Sequence, residues 1–320
     1  MIRYEWFRKL GGDDLRDTLE LVRVAAEYDE EAGFSQIGPD LVRAGPSYDD
    51  VRHHHLLVHG QLDEIPRPDS SPNLVAYLHL TVDGKDDSGV AHLVVHPDFR
   101  SLGVATMLVE ELGLDVDAPG GWCGTGARSL RGWALGHHPA AERLTRRFGI
   151  GAATRTWQMI RHLTGPFAQE LPEVPASIVP GAELDERAAI EDVCRGSGMT
   201  EEARRQLILR MQEGGGQRLF AAGSDGRPVA FLWYDPEIRR VEGFRSGAIR
   251  AMRMTEDQHP RVGLALMVRA LELLREAGAQ IAAAQVDPDE PHIVRITRLL
   301  AFERTQDDVL YAVGAPLRTG

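Results

Sequence analysis

The residues best suited to chemistry in this 320-residue sequence fall between positions 92 and 106. The turn Pro97-Asp98-Phe99-Arg100-Ser101-Leu102-Gly103-Val104-Ala105-Thr106 joins an apolar run to a second one of helical character. Small residues at such a turn let several backbone N–H groups close on a diphosphate, and the positive end of the helix dipole favours the anion. Arg100 adds a charged fork. The expected cradle is therefore Arg100, Ser101, Leu102, Gly103, Val104, Ala105 and Thr106. A glycine that merely lets the chain bend is the competing reading.

Just upstream, His92 and His96 alternate with Leu93 and Val95, which places both imidazoles on one face of a strand. Histidine, with an ordinary pKa near ~6.5, suits proton transfer at neutral pH. Both are candidate acid–base groups. His96 also precedes Pro97 at the strand end, where the residue type and place favour a structural hydrogen bond over catalysis.

The elements that hold these residues occur twice. Val75-Ala76-Tyr77-Leu78-His79 reads as a strand, and Val229-Ala230-Phe231-Leu232-Trp233 repeats it. Each follows a shorter apolar run ending in glycine, Leu56 to Gly60 and Leu219 to Gly223. A further strand comes next (Val90 to His96, Ala248 to Met254), then a glycine (Gly103, Gly263) and an apolar helix (Val104 to Leu112, Leu264 to Ala277). Each half closes with a strand near Trp133 or Ile281, a helix opened by Pro139 or Pro291, and a last strand near Trp157 to Ile160 or Val309 to Val313. The prolines at 166, 172, 175 and 180, ending at Gly181, suit neither helix nor central strand. The expected domains are 1–165 and 182–320, with 166–181 as linker.

Arg100-x-x-Gly103-x-Ala105 resembles the [Q/R]-x-x-G-x-[G/A] coenzyme A motif of the GCN5-related N-acetyltransferase superfamily, and Leu93-Val94-Val95-His96-Pro97 fits that family's fourth strand. The resemblance spans both halves and is strongest from Leu74 to Phe148. It implies an α/β fold with a mixed sheet, present as two tandem domains of the superfamily's acyl-coenzyme-A N-acyltransferase type. It further implies acetyl-coenzyme A as donor and the primary amine of a small molecule as acceptor. Leu93, Val94 and Val95 would lend their backbone edge to the pantetheine arm. The second half offers a weaker counterpart, Arg261, Val262, Gly263, Leu264 and Ala265, in which Pro260 replaces the first motif residue and has no N–H to give. The resemblance also implies a tyrosine acid, where this chain has Thr145 and Thr297, and in two-domain relatives a glutamate base, where it has Ile249. The function expected is amine acetylation; a non-catalytic acyl-coenzyme-A sensor or assembly protein is the alternative.

Composition narrows the partners. A net charge of -12 repels a phosphate backbone, so neither nucleic acid nor an anionic membrane is expected. Cys123 and Cys194 lack the spacing of a redox or metal pair and read as thiols of a cytoplasmic protein. No apolar stretch reaches membrane-spanning length. His53-His54-His55 looks like a metal tract, but successive strand residues alternate faces, so no metal is expected. His137 and His138 fall in a loop near the cleft, and Glu237, Arg239, Arg240 and Glu242 decorate a hairpin.

Overall fold

A computed structural model describes residues 2–30, 38–45, 51–60, 73–174, 178–180, 185–199, 201, 204–205, 207–208, 211, 215–241 and 243–314. The chain divides into two compact units, Met1–Arg155 with Asp308–Thr319 and Thr156–Asp307.

The first unit runs β1 (Ile2–Phe7), α1 (Gly12–Glu30), α2 (Pro39–Arg43), β2 (Val51–Gly60), β3 (Leu74–Asp83), β4 (Ser88–Val95), α3 (Val104–Leu112), β5 (Ser129–Ala134) and α4 (Pro139–Phe148). Its sheet has the order β1-β2-β3-β4-β5, and β12 (Glu303–Gly314) continues it beside β5. All pairings are antiparallel except β4 with β5. β3 is apolar on both faces because both are covered. Leu74 and Tyr77 pack with Leu57 against Leu21 and Val22 of α1. Ala76, Leu78, Leu80 and Val82 pack against Val104 and Leu108 of α3. Removing each such side chain from water contributes roughly 1.5–3 kcal/mol.

The second unit repeats the plan with β6 (Gly151–His162), β7 (Ile178–Pro180), α5 (Glu186–Gly196), β8 (Gln217–Ala222), β9 (Pro228–Val241), β10 (Phe244–Met254), α6 (Pro260–Glu276), β11 (Ile281–Val286) and α7 (Pro291–Leu299). Its strand order is β6-β11-β10-β9-β8-β7. Helix α6 buries Leu266, Leu271 and Leu274 completely against one face of the sheet. Phe220, Phe231 and Trp233 meet Ile190 and Val193 of α5 on the other.

Three features differ from the sequence expectation. The last strands of the repeats are exchanged: Trp157–His162 pairs with β11, and Val309–Gly314 pairs with β5. Residues 166–174 and β7 of the expected linker fall within the second unit, where β7 pairs with β8; Pro175 and Gly181 lie outside the described residues. Helix α6 also begins at Pro260, before its apolar period starts, because proline is suited to the first helical position and His259 caps it. Among the described residues no helix is long and apolar enough to cross a membrane.

One shared feature positions the site. The parallel pairing of β4 with β5 ends at Val90 and Arg131, and that of β10 with β11 ends at Ile249 and Ala284. Beyond those points β4 and β10 continue, paired among the described residues on one side only, by β3 and β9.

Candidate functional site

In the first unit the stretch Ala91–Val95 remains in register with Leu80–Ala76 of β3 while β5 diverges. A strand with one unpaired side presents backbone N–H and C=O groups that an extended ligand can pair with. Leu93 and Val95 pack toward α3, and Val94 toward α1. The carbonyl of Val95 is already engaged, accepting from Arg100 Nε at 3.0 Å.

The chain leaves β4 through a short 3-10 turn, Pro97–Phe99, and enters α3 at Gly103. Gly103 has φ +82, a left-handed conformation that glycine adopts without the penalty a side chain brings. Among the described residues nothing stands within 4 Å of a Cβ built there. Gly103, at the N-cap of α3, has no side chain with which to cap it. Its first N–H groups, from Val104, Ala105 and Thr106, have no acceptor within the helix itself, as at any helix start. Ser101 is held at φ +63 and Leu102 is exposed beside this mouth.

Arg100 does not present its fork outward. Nη1 and Nη2 donate to Asp29 Oδ1 and Oδ2 at 2.5 and 3.0 Å, and the guanidinium lies 5.1 Å from the Tyr28 ring centroid. Arg100 therefore ties the turn to the end of α1. What the turn offers outward is backbone, with the arginine behind it.

His96 is nearly buried, its Nδ1 accepts from Asp98 N at 3.3 Å, and it caps the 3-10 turn. Burial holds its pKa below the ordinary value. It performs the structural job. His92 is half-buried on the unpaired part of β4, and burial lowers its pKa too, so the ring is neutral at pH 7 with a lone pair available.

Register reveals a residue that the motif does not. His79 stands directly opposite His92 on β4 and His55 on β2, and is fully buried. Its sequence signal is slight, one imidazole ending the apolar run from Val75. His53 and His55 share this face, whereas His54 turns away to Arg8 Nη1 at 2.9 Å, as strand alternation requires. Among the described residues no group of three His, Cys, Asp or Glu is placed to hold a metal ion.

The second unit's mouth is closed. His259 Nδ1 accepts from Arg261 N at 3.2 Å, capping α6 with a side chain of its own. Gly263 lies inside the helix; a Cβ there would stand 2.8 Å from Ile296 Cδ1 and 3.3 Å from Met254 Sδ, so this glycine serves packing. Val262 and Leu264 pack against the core and Ala265 is buried. Ion pairs line the open stretch of β10: Arg253 with Glu290 at 3.1 Å and Arg250 with Asp235 at 2.9 Å. Ile249 is a core residue.

Both threonines at the tyrosine position bond back into their own helices. Thr145 Oγ1 donates to Ala141 O at 2.9 Å, and Thr297 Oγ1 to Val294 O at 3.0 Å. His138 caps α4, accepting from Ala140 N at 3.2 Å, while the side chain of His137 lies outside the described residues. Glu237, Arg239 and Arg240 lie on the β9 arm of the β9–β10 hairpin, and Glu242 is outside the described residues.

No family model matches the chain. It is 29% identical over 335 residues to a mycothiol acetyltransferase of Saccharomonospora viridis, covering 98% of this chain and 100% of that one. It is 31% identical over 255 residues to a mycothiol acetyltransferase of Thermobispora bispora, covering 72% of this chain and 82% of the relative. Among solved structures, a GCN5-related N-acetyltransferase from Sphaerobacter thermophilus matches with a TM-score of 0.63 at 19% identity, covering 99% of this chain and 98% of that one. The structural likeness bears out the mixed α/β fold that the coenzyme A motif implied.

Proposed function

The chain belongs to the mycothiol acetyltransferase family, and from that premise we propose that it acetylates the primary amine of a small molecule, with the first unit holding acetyl-coenzyme A. The observation that carries this placement is the contrast between the two helix mouths. That of α3 opens at a left-handed glycine with no side chain of its own, and among the described residues nothing stands within 4 Å of a Cβ built there. That of α6 is capped by His259, and its glycine is packed.

The residues present fit the donor. The N–H groups at the start of α3 suit its diphosphate, with Ser101 to Thr106 around them. Leu93 and Val94 lend the unpaired edge of β4 to its extended arm. The bound donor supplies an activated acetyl thioester. On the protein's side, α3 directs positive potential toward the anion, β4 orients the arm, and His92 stands where the strands part, ready to take a proton from the amine. Arg261, Val262, Gly263, Leu264 and Ala265 contribute to fold rather than to a second donor site in this reading. The same reading places the enzyme in the cytoplasm, where its free thiols, Cys123 and Cys194, would remain reduced.

Titration calorimetry with acetyl-coenzyme A tests the placement, and one equivalent per chain is expected. Release of free coenzyme A thiol is then measured against a panel of amines, including cysteinyl-glucosaminyl-inositol, aminosugars and amino-acid amides. Turnover with one of them supports acetyl transfer. Tight donor binding with no thiol release anywhere would support the non-catalytic acyl-coenzyme-A sensor instead, and two equivalents of donor would reject the assignment to one unit.

A further inference from the structure

We propose that β1 is a pairing edge for a second copy of this chain, joined antiparallel about a two-fold axis at Tyr4, so that Arg3 of each copy faces Glu5 of the other. The proposal goes beyond the acetyl-transfer reading and does not depend on it.

β1 stands at the end of the first unit's sheet. Among the described residues it pairs with β2 alone, from Ile2 opposite Gly60 to Phe7 opposite His55. Every second residue of such a strand turns its N–H and C=O away from the sheet, and an exposed row of that kind is a template for another strand. The edge is uncovered at its centre: the side chains of Arg3 and Glu5 are 73% and 53% exposed, and Tyr4 is exposed between them.

The edge strand of the second unit is built differently. β7 is three residues long and closes on Pro180, which has no N–H to give. Shortness and proline are devices that stop strand addition. β1 is six residues long and contains no proline.

Charge fixes one register. In an antiparallel ladder only residues whose backbone groups aim the same way can face each other, so a two-fold axis across β1 must pass through a residue, and sliding the copies moves it from residue to residue. With the axis at Arg3, arginine faces arginine. With the axis at Glu5, glutamate faces glutamate. Like charges directly opposite are destabilising. With the axis at Tyr4, Arg3 faces Glu5 twice over, and the two tyrosines adjoin on the other face of the strand.

Within one copy Arg3 and Glu5 stand 3.8 Å apart on the same face, a loose and exposed pair that contributes little by itself. Across the axis the four groups form an alternating quartet, in which each charge has an opposite one on its own strand and another directly facing it. Charges on an edge also serve to repel other strands. Here a plus and a minus two residues apart repel in the registers centred on themselves and attract in the one between. The chain's net charge of -12 keeps copies apart elsewhere, whereas Arg3 and Glu5 leave this edge neutral.

Sedimentation velocity on the full chain, its amino end untagged, tests the edge over protein concentrations from about 1 to about 200 μM. A monomer–dimer equilibrium is expected. Arg3→Glu and Glu5→Arg should each raise the dimer dissociation constant by about tenfold or more, since each sets like charges opposite one another. The double variant Arg3→Glu/Glu5→Arg should bring it back to within about threefold of the parent. An equimolar mixture of the two single variants should form a mixed dimer, because one copy then offers two acids to the two bases of the other. A parent that stays monomeric throughout would overturn the edge. So would a dimer indifferent to both single variants, or a double variant that associates no better than they do. Both residues are exposed, so folding should be retained, which circular dichroism checks. If either single variant does not fold, Tyr4→Lys replaces it, since it sets two ammonium groups against each other at the axis and should weaken the dimer likewise; an unweakened dimer there would overturn the edge too.

Discussion

Arg100 and Asp29 meet in a two-pronged ion pair, both guanidinium nitrogens on both carboxylate oxygens, with side-chain exposures of only 21% and 15%. An arginine in a strand-to-helix turn of this kind invites the assumption that it grips phosphate. Here its fork is already filled by the end of α1, and its Nε holds the Val95 carbonyl.

Arg100→Ala should therefore destabilise the first unit, because it leaves Asp29 half-buried without its partner. A loss of roughly 1–3 kcal/mol is expected by denaturant titration. Arg100→Lys should recover little of it, since an ammonium cannot reproduce the fork. A double-mutant cycle with Asp29→Ala should show coupling above about 1 kcal/mol. Weakened donor binding with unchanged stability and no coupling would mean that the arginine faces the ligand after all.

The two motif glycines should respond differently to the same substitution. Gly103→Ala forces a side chain into φ +82 but meets no neighbour, so it should cost about 1 kcal/mol of stability and intrude on the mouth of α3. Gly263→Ala adds no such backbone strain, yet its Cβ would press on Ile296, Met254 and Met252. That overpacking should cost about 1–3 kcal/mol. Calorimetry should find donor affinity reduced at least tenfold in Gly103→Ala and unchanged in Gly263→Ala. Equal effects on affinity would remove the distinction between the two mouths.

What the sequence made legible follows the range of the forces involved. The bounds of α3, Val104 to Leu112, match their apolar period, and the turn at Gly103 matches the need for a left-handed residue, because both are set by neighbours in the chain. The partner of Arg100 lies 71 residues away, and no local pattern points to Asp29. His79 becomes notable only when cross-strand register aligns it with His53 and His92. The exchange of β6 and β12 was equally hidden, since either strand carries an apolar face that could complete either sheet. The closed mouth of α6 was half visible: Pro260 announced the helix start, but the capping role of His259 and the crowding at Gly263 depend on the folded core.

Thr145 and Thr297 stand where the resemblance calls for an acidic phenol, and both hydroxyls are spent on their own helices. Replacing either by valine keeps the shape and removes one hydrogen bond to a helix carbonyl that already has its backbone partner. Each change should cost no more than about 1 kcal/mol and leave thiol-release kinetics within twofold. A tenfold loss of kcat in Thr145→Val, with stability retained, would restore the hydroxyl to the reaction.

The buried histidines also make stability depend on pH, with a definite sign. Burial drives the pKa of His79 down to about 3, from an unfolded value near 6.5, with the other imidazoles adding repulsion. Below pH 6.5 the unfolded chain binds a proton that the folded chain refuses. The stabilisation is thus complete above the unfolded pKa and is lost as pH falls toward the folded one. Across that window this one ring removes about 1.4 kcal/mol per pH unit. Between pH 7 and pH 5 the loss is about 2 kcal/mol, which corresponds to a melting temperature lower by roughly 4–8 °C for the first unit's transition. Ordinary carboxyls titrate around pH 4 and contribute little in this range. His79→Asn should remove its own share of the dependence between pH 7 and pH 5 and leave that of the other depressed imidazoles, among them His54, held at about 4; His92→Asn should remove less, because the half-buried ring is perturbed in the same direction with fewer repelling neighbours. Melting curves at half-unit steps of pH measure this directly, and a parent protein equally stable at pH 5 and pH 7 would contradict a His79 held neutral by burial.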